Sequence, residues 1–408
     1  MKNFLCILII STFLGSSFNI FTIGSLTINI FRIIFLLFLA AHCILNLKST
    51  NTAKSPVAIK YKNYLSFLVF FNLFTLFQTP DFLDWINGCV FYSINILLIY
   101  FVYIYTDSRK DLEKYIKAFI LGIILTIVVS IYEYITGNHI ISTNYFSDYN
   151  TVSWQYELLS LAPTGFLYNP NNIGVVMILG LGFGLYFTKK LRGWLFFSVW
   201  VALCIYVSFA TGSRGAIILI FLAILLSVFF GTKGFLKKNI IFIFLIILGV
   251  LLFTVFNDFI FEQLKRAGFS SGDNSISSDS RWDLIRYVLK SCVKTAFLGT
   301  GPMTAETVLR NNFNLSMSAV HNFWAEFLLT QGIGSFICFI AFYLRCIKVQ
   351  WRLRANDTIS PAVLVALIMF ALTVFIPPTV ITLYFVWLIF GFSIAAEKLY
   401  YNDKGILI

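Results

Sequence analysis

The sequence predicts an all-α integral membrane protein, and three observations carry that reading. Hydrophobic residues make up 59% of the chain and charged residues 12%, against roughly 45–50% and 25% in soluble domains. The apolar residues run continuously over stretches close to the roughly 20 that cross a bilayer as a helix. They do not alternate over the roughly 10-residue segments of a membrane β-barrel. The basic residues sit in short clusters between those runs, the pattern of inner loops in a multispanning protein. The net charge of +12 therefore reflects topology, and no nucleic-acid partner is expected.

Taken in order, about twelve apolar segments are expected to form transmembrane helices. They cover residues 4–23, 26–46, 64–79, 88–105, 115–136, 171–188, 194–210, 215–230, 239–256, 321–344, 359–376 and 379–396. The first resembles a signal peptide but lacks a small-residue cleavage site, so it is expected to stay as a helix. Threading the segments from an inner N-terminus places 21 of the 30 basic residues inside, including Lys2, Arg109, Lys114, Arg345 and Lys398. Twelve of the 18 acidic residues then fall outside or at outer helix ends. Shifting the count by one span destroys this asymmetry, which the positive-inside rule demands. Both termini are thus expected in the cytoplasm, within a single polytopic membrane domain over residues 1–408.

No inner loop has room for a nucleotide-binding domain, and neither a Walker A sequence nor a dinucleotide fingerprint occurs. Energy must come from the substrate or from an ion gradient. The seven cysteines show no CxxC spacing and read as small apolar fillers. Asp81 and Asp84 form an acidic turn whose chemistry is better explained by solvation than by a cation. No cofactor and no metal is expected.

Two long loops face outward in this threading, 137–170 and 257–320. In the second, Asp279 or Ser280 is placed to cap a helix. Trp282, Ile285, Leu289 and Val293 recur there at helical spacing, and Arg286, Lys290 and Lys294 form a basic row. Such a helix lies in the outer interface, against membrane lipids.

The candidate site residues gather at the outer boundary. Arg214 in ATGSRGAII is flanked by glycines that let a bulky anion approach; the blander reading is a snorkelling arginine. Arg281 stands at a helix start that favours anions, or pairs with Asp279 or Asp283. His321 opens HNFWAEF and can move a proton near neutral pH; Asn322 and Glu326 lie one turn apart beside it. Asn169, Asn171 and Asn172, in NPNN, can cap a helix or bind sugar hydroxyls. Arg32 and Glu133 lie inside apolar segments, so both are expected to face the bundle interior. Trp154, Tyr156, Trp282 and Trp324 can stack on sugar rings or belong to interfacial belts.

Four motifs in order are NPNN, TGSRG, SRWDLIRYVLKS followed by LGTGP, and AVHNFWAEFLLTQGIGS. Together they resemble the O-antigen polymerase and ligase superfamily of membrane glycosyltransferases, over residues 160–345. The resemblance implies a GT-C-like fold in the bacterial cytoplasmic membrane, with short amphipathic helices in the large outer loop. It implies an undecaprenyl-diphosphate-linked oligosaccharide as donor, with flippase and chain-length regulator proteins as companions. It assigns catalysis to Arg214, Arg281 and His321, facing one another across the diphosphate. Asn169, Asn171, Asn172, Arg286, Asn322, Glu326 and Arg32 are the expected substrate-binding residues. A repeat-unit polymerase is preferred to a ligase on the flavour of NPNN and TGSRG. A flippase fits less well, because transporters place their polar residues near the midplane.

Overall fold

The computed structural model describes residues 1–15, 18–23, 26–47, 56–140, 162–189, 193–231, 275–313, 319–355 and 359–403. The ninth apolar segment, the 141–161 stretch with Trp154 and Tyr156, and residues 257–274 lie outside the described residues.

Helices dominate what is described. They are α1 (Lys2–Ser11), α2 (Ile30–Leu47), α3 (Pro56–Phe74), α4 (Phe82–Tyr105), α5 (Arg109–Thr136), α6 (Pro170–Leu181) and α7 (Gly193–Ala210). Then follow α8 (Arg214–Gly231), α9 (Ser275–Lys294), α10 (Ala305–Phe313), α11 (Phe323–Leu353), α12 (Ser360–Thr373) and α13 (Tyr384–Asp403). Among the described residues, six helical stretches are long and apolar enough to cross a membrane: 82–105, 109–136, 170–188, 193–210, 214–231 and 323–353. Shorter apolar helices cover 2–14, 30–45 and 360–373.

The first expected span is replaced by a shorter element. Helix α1 tightens into a 3₁₀ turn at Thr12–Leu14 and stops at Gly15, where φ is 57°. An antiparallel ribbon follows, β1 (Asn19–Ile23) on β2 (Leu26–Asn29). Ile and Thr favour such a ribbon because their branched side chains suit a pleat. Several helix starts carry the expected chemistry. Asp81 caps α4 by accepting from the Leu83 and Asp84 amides at 2.8 and 3.0 Å. Before α5, the Ser108 amide donates to Asp111 Oδ2 at 3.0 Å and the Asp111 amide donates to Ser108 Oγ at 3.3 Å, a reciprocal cap.

The chain divides into two compact units. The first comprises Met1–Phe119, Ser275–Val349 and Pro377–Ile408. Its centre is α13 against α4, and its core is aromatic: Phe31 stacks on Tyr384 at 4.1 Å and Phe13 on Phe385 at 5.2 Å between ring centroids. One end of this unit is tied by charge. Lys2 Nζ lies 2.9 Å from Asp107 and 2.7 Å from Asp111, and Lys398 reaches Asp107 at 3.7 Å. Nearby, buried Glu397 accepts from Arg345 at 2.6 Å and from the Tyr61 hydroxyl.

The same unit holds α9 and α10 on α11 through two devices. Val288, Cys292, Ala305, Val308, Leu309, Val320 and Leu329 form a small core of their own, where burial pushes the Cys292 thiol up to about 11. The LGTGP loop also pairs with a break in α11. Thr300 and Gly301 donate to the carbonyls of Leu329 and Thr330 at 3.0 and 2.9 Å, and Ile333 donates to Phe297 at 2.9 Å. Gly332 interrupts α11 at φ 74°, ψ 172°. A Cβ there would come within 2.6 Å of the Leu298 carbonyl, and one on Gly299 within 2.7 Å of the Gly332 nitrogen. Only glycine satisfies both the backbone and the approach.

The second unit comprises Ile120–Asn274 and Gln350–Ile376. Helix α6 is buried almost all round, and α7, α8 and α12 pack on it, as expected of a helix apolar on every face. A Cβ on Gly174 would stand 2.6 Å from Ala216 Cβ on α8, the small-residue contact that lets membrane helices approach.

Gly332→Ala is expected to cost about 3 kcal/mol, from left-handed strain plus a backbone clash. Gly212→Ala, at φ 63° with no atom near its added Cβ, is expected to cost about 1 kcal/mol. Melting temperatures of the two purified variants in detergent check the order; equal melting temperatures would contradict it.

Candidate active site

Helix α11 presents the histidine motif. Asn322 is buried and caps the helix, its Oδ1 accepting from the Ala325 amide at 3.2 Å and its carbonyl from the Glu326 amide at 2.9 Å. His321, just before the cap, is half-buried and has φ 49°. That left-handed backbone is uncommon outside glycine, though histidine is among the residues that tolerate it. The chain thus turns sharply at His321 and sets its ring by the turn instead of by the helix.

Glu326 is 4% exposed, in the first turn of α11. Its Oε1 accepts from the Thr379 hydroxyl at 2.8 Å. Its Oε2 is buried without a hydrogen bond among the described residues, as is the Tyr92 hydroxyl. Tyr92 packs its ring against Phe327 and Trp387, each 6.1 Å away. Glu326 therefore ties the turn after Pro378 to the helix of His321, and Asn95 ties the same turn to α4 by donating to the Ile381 carbonyl at 2.8 Å.

Arg32 is 3% exposed, as expected of a cation that faces the interior. Its Nη2 donates to Asn87 Oδ1 at 3.4 Å, and its guanidinium lies 4.4 Å from the centroid of the Phe91 ring. The quadrupole of that ring attracts the cation. Phe91 and Tyr92 are consecutive, so one turn of α4 serves both Arg32 and the Glu326 region.

Helix α9 begins at Ser275, so Asp279, Ser280 and Arg281, expected at its start, lie inside it instead, because the helix continues through the Ser/Asp-rich stretch; the position of the Arg281 side chain lies outside the described residues. Arg286 is exposed and pairs with Asp283 at 3.2 Å. Helix α10 joins α4 through Thr307, which donates to Asp84 at 2.9 Å. Asp81 and Asp84 are thus a cap and a tether.

The second unit carries Arg214 and the asparagine motif. Arg214 is exposed and begins α8. The turn before it is held by Thr211, whose hydroxyl donates to the Ser208 carbonyl at 2.7 Å. A Cβ on Gly215 would meet Ile376 at 2.9 Å, so the glycine after Arg214 seats the helix start closely. Asn169 caps α6, accepting from the Asn171 amide at 2.8 Å, with Pro170 in the first turn. Asn172 is buried and donates to the Leu167 carbonyl at 3.0 Å. Asn171 is half-buried. Glu133 is 1% exposed and accepts from the Thr164 and Gly165 amides at 2.8 and 2.7 Å and from Ile140 at 3.0 Å. His139 approaches it at 3.5 Å. Glu133 therefore joins the two stems of the connection between α5 and α6.

Sequence reasoning missed Asn87 and Thr379, which contact Arg32 and Glu326, and Tyr92, which packs on Phe327 beside Glu326. Asn87 and Tyr92 sit in an apolar run and carry no motif. Thr379 is 53 residues from Glu326, a separation without local signal.

Residues 199–340 match the family model for O-antigen ligase. That stretch contains Arg214, Arg281, Arg286, His321, Asn322 and Glu326, and excludes Arg32 and the NPNN motif. The chain is also similar to the teichuronic acid biosynthesis protein TuaE of Bacillus subtilis (strain 168). The identity is 20% over 412 residues, covering 96% of this chain and 83% of that protein.

Asn169→Ala is expected to lose about 1 kcal/mol of stability, the usual worth of an N-cap, while Asn169→Asp keeps it. Thermal unfolding of the two purified variants distinguishes them. Equal loss in both would contradict the capping role.

Proposed function

We infer, from the O-antigen polymerase and ligase superfamily that both similarities support, that this chain is a membrane glycosyltransferase building a polysaccharide. In this reading it polymerises repeat units, using an undecaprenyl-diphosphate-linked glycan as donor and a lipid-linked sugar as acceptor. The observation that carries the reading is the family match over 199–340, which takes in all three proposed catalytic residues. The chain would cross the bacterial cytoplasmic membrane about twelve times, with both termini in the cytoplasm and the chemistry on the outer face.

The chemistry is self-sufficient. The acceptor hydroxyl oxygen bonds to the anomeric carbon, and the bond from that carbon to the diphosphate breaks. The bonding pair leaves with the diphosphate, already a good leaving group, so no nucleotide is consumed. Arg214 and Arg281 offset the developing charge, as preorganised cations do in a dry site. His321 takes the hydroxyl proton. Asn171, Asn322, Glu326 and Arg32 are proposed to orient the sugars, directly or through their neighbours. A ligase reading has its own support in the description of the matching family, O-antigen ligase; the acceptor would then be a different lipid or a protein.

Deletion of the gene followed by analysis of lipid-linked glycans tests the choice. Single repeats on the carrier are expected. Long polymer stranded on the carrier would favour the ligase, and glycans confined to the inner leaflet would favour a flippase. Arg214→Ala, Arg281→Ala and His321→Ala are each expected to lower product at least about 100-fold at near-normal protein levels. Retained activity in all three would refute the assignment.

A further inference from the structure

The second half of α9 has two unlike faces. Val288, Ser291 and Cys292 are buried, and Val288 and Cys292 belong to the small core with α10 and α11. The other face is open. Trp282 is 65% exposed, Leu289 48% and Val293 67%. Arg286 falls between Trp282 and Leu289 on the same stripe, at helical steps of four and three residues, and Lys290 and Lys294 run along its edge, also exposed. The ammonium groups of both lysines are drawn over aromatic rings, 5.7 Å from Tyr287 and 5.3 Å from Phe313. They are thereby held at the border of the stripe. Asp283, paired with Arg286, is the single acid from Trp282 to Lys294.

An apolar stripe with a tryptophan, edged by cations, on a helix too polar to cross a bilayer, has the makeup of an interfacial helix. A second copy of the chain is a poorer occupant. A two-fold contact between such stripes would bring the same three cations face to face. We propose that the exposed stripe of α9 seats on an acidic phospholipid surface. Trp282, Leu289 and Val293 enter the acyl boundary, and Arg286, Lys290 and Lys294 meet the headgroup phosphates. This assigns Arg286 to the membrane surface and not to the glycan. Because α9 is fixed to α11, seating it sets the depth at which the His321 turn meets the lipid. The inference stands apart from the proposed glycosyl transfer, since its readout is a lipid contact.

The test places a benzophenone amino acid at position 293 of the full-length chain in nanodiscs of phosphatidylglycerol or phosphatidylcholine. After irradiation, adducts are identified by mass spectrometry. A phospholipid adduct is expected, about tenfold more abundant with phosphatidylglycerol at low salt, and that preference disappears in the variant R286Q/K290Q/K294Q. An adduct joining two copies of the chain would overturn the proposal. So would the lack of any lipid adduct, or a lipid adduct indifferent to headgroup charge.

Discussion

A backbone pairing between residues 297–301 and 329–333 underlies the first unit. Breaking a membrane helix exposes amides and carbonyls that lipid cannot satisfy. Here the carbonyls of Leu329 and Thr330, beside the break in α11, accept from Thr300 and Gly301, so the LGTGP loop repairs the helix that it interrupts. The repair requires glycine at 299 and 332, where any Cβ would meet backbone. It makes the large-loop helices part of the same body as α11. Their small core, the Thr307 tether to Asp84 and the packing of Gly301 on Trp85 then follow. The turn at His321 begins the helix so braced.

Charge is treated differently at the two ends of α4. Near its C-terminus, Lys398 donates to the carbonyls of Tyr103 and Ile104, and Lys2, Asp107 and Asp111 close a network. Close by, buried Glu397 has both Arg345 and Tyr61. These charges are matched, which is what makes burial tolerable. Near the N-terminus of α4, Arg32 rests on an amide and an aromatic face, and Glu326 has one oxygen satisfied and one not. The first end suits structure. At the second, Arg32 and Glu326 also join separate elements, through Asn87 and Thr379.

Much of this was legible in the sequence. Continuous apolar runs announced the helices, and the positions of α4 to α8 and α11 followed from them. The short first helix did not, because a β-branched ribbon and an apolar span read alike over ten residues. The amphipathic helix of the large loop was legible from the spacing of residues 282, 285, 289 and 293, of which Ile285 is half-buried and the others exposed, but its buried face was not. That face is set by Val288 and Cys292 meeting α10 and α11, a tertiary choice. NPNN illustrates the converse: its local meaning, a cap with proline in the first turn, is what Asn169 and Pro170 do. The Glu326–Thr379 and Arg32–Asn87 contacts join residues far apart in sequence, and no local pattern encodes them.

The most direct test of the account is turnover by the purified chain in proteoliposomes supplied with a short undecaprenyl-diphosphate-linked oligosaccharide and no nucleotide. Lengthened lipid-linked glycan, accompanied by an equal amount of released undecaprenyl diphosphate, is the result the account predicts. Unchanged donor, or a requirement for a nucleotide, would contradict it.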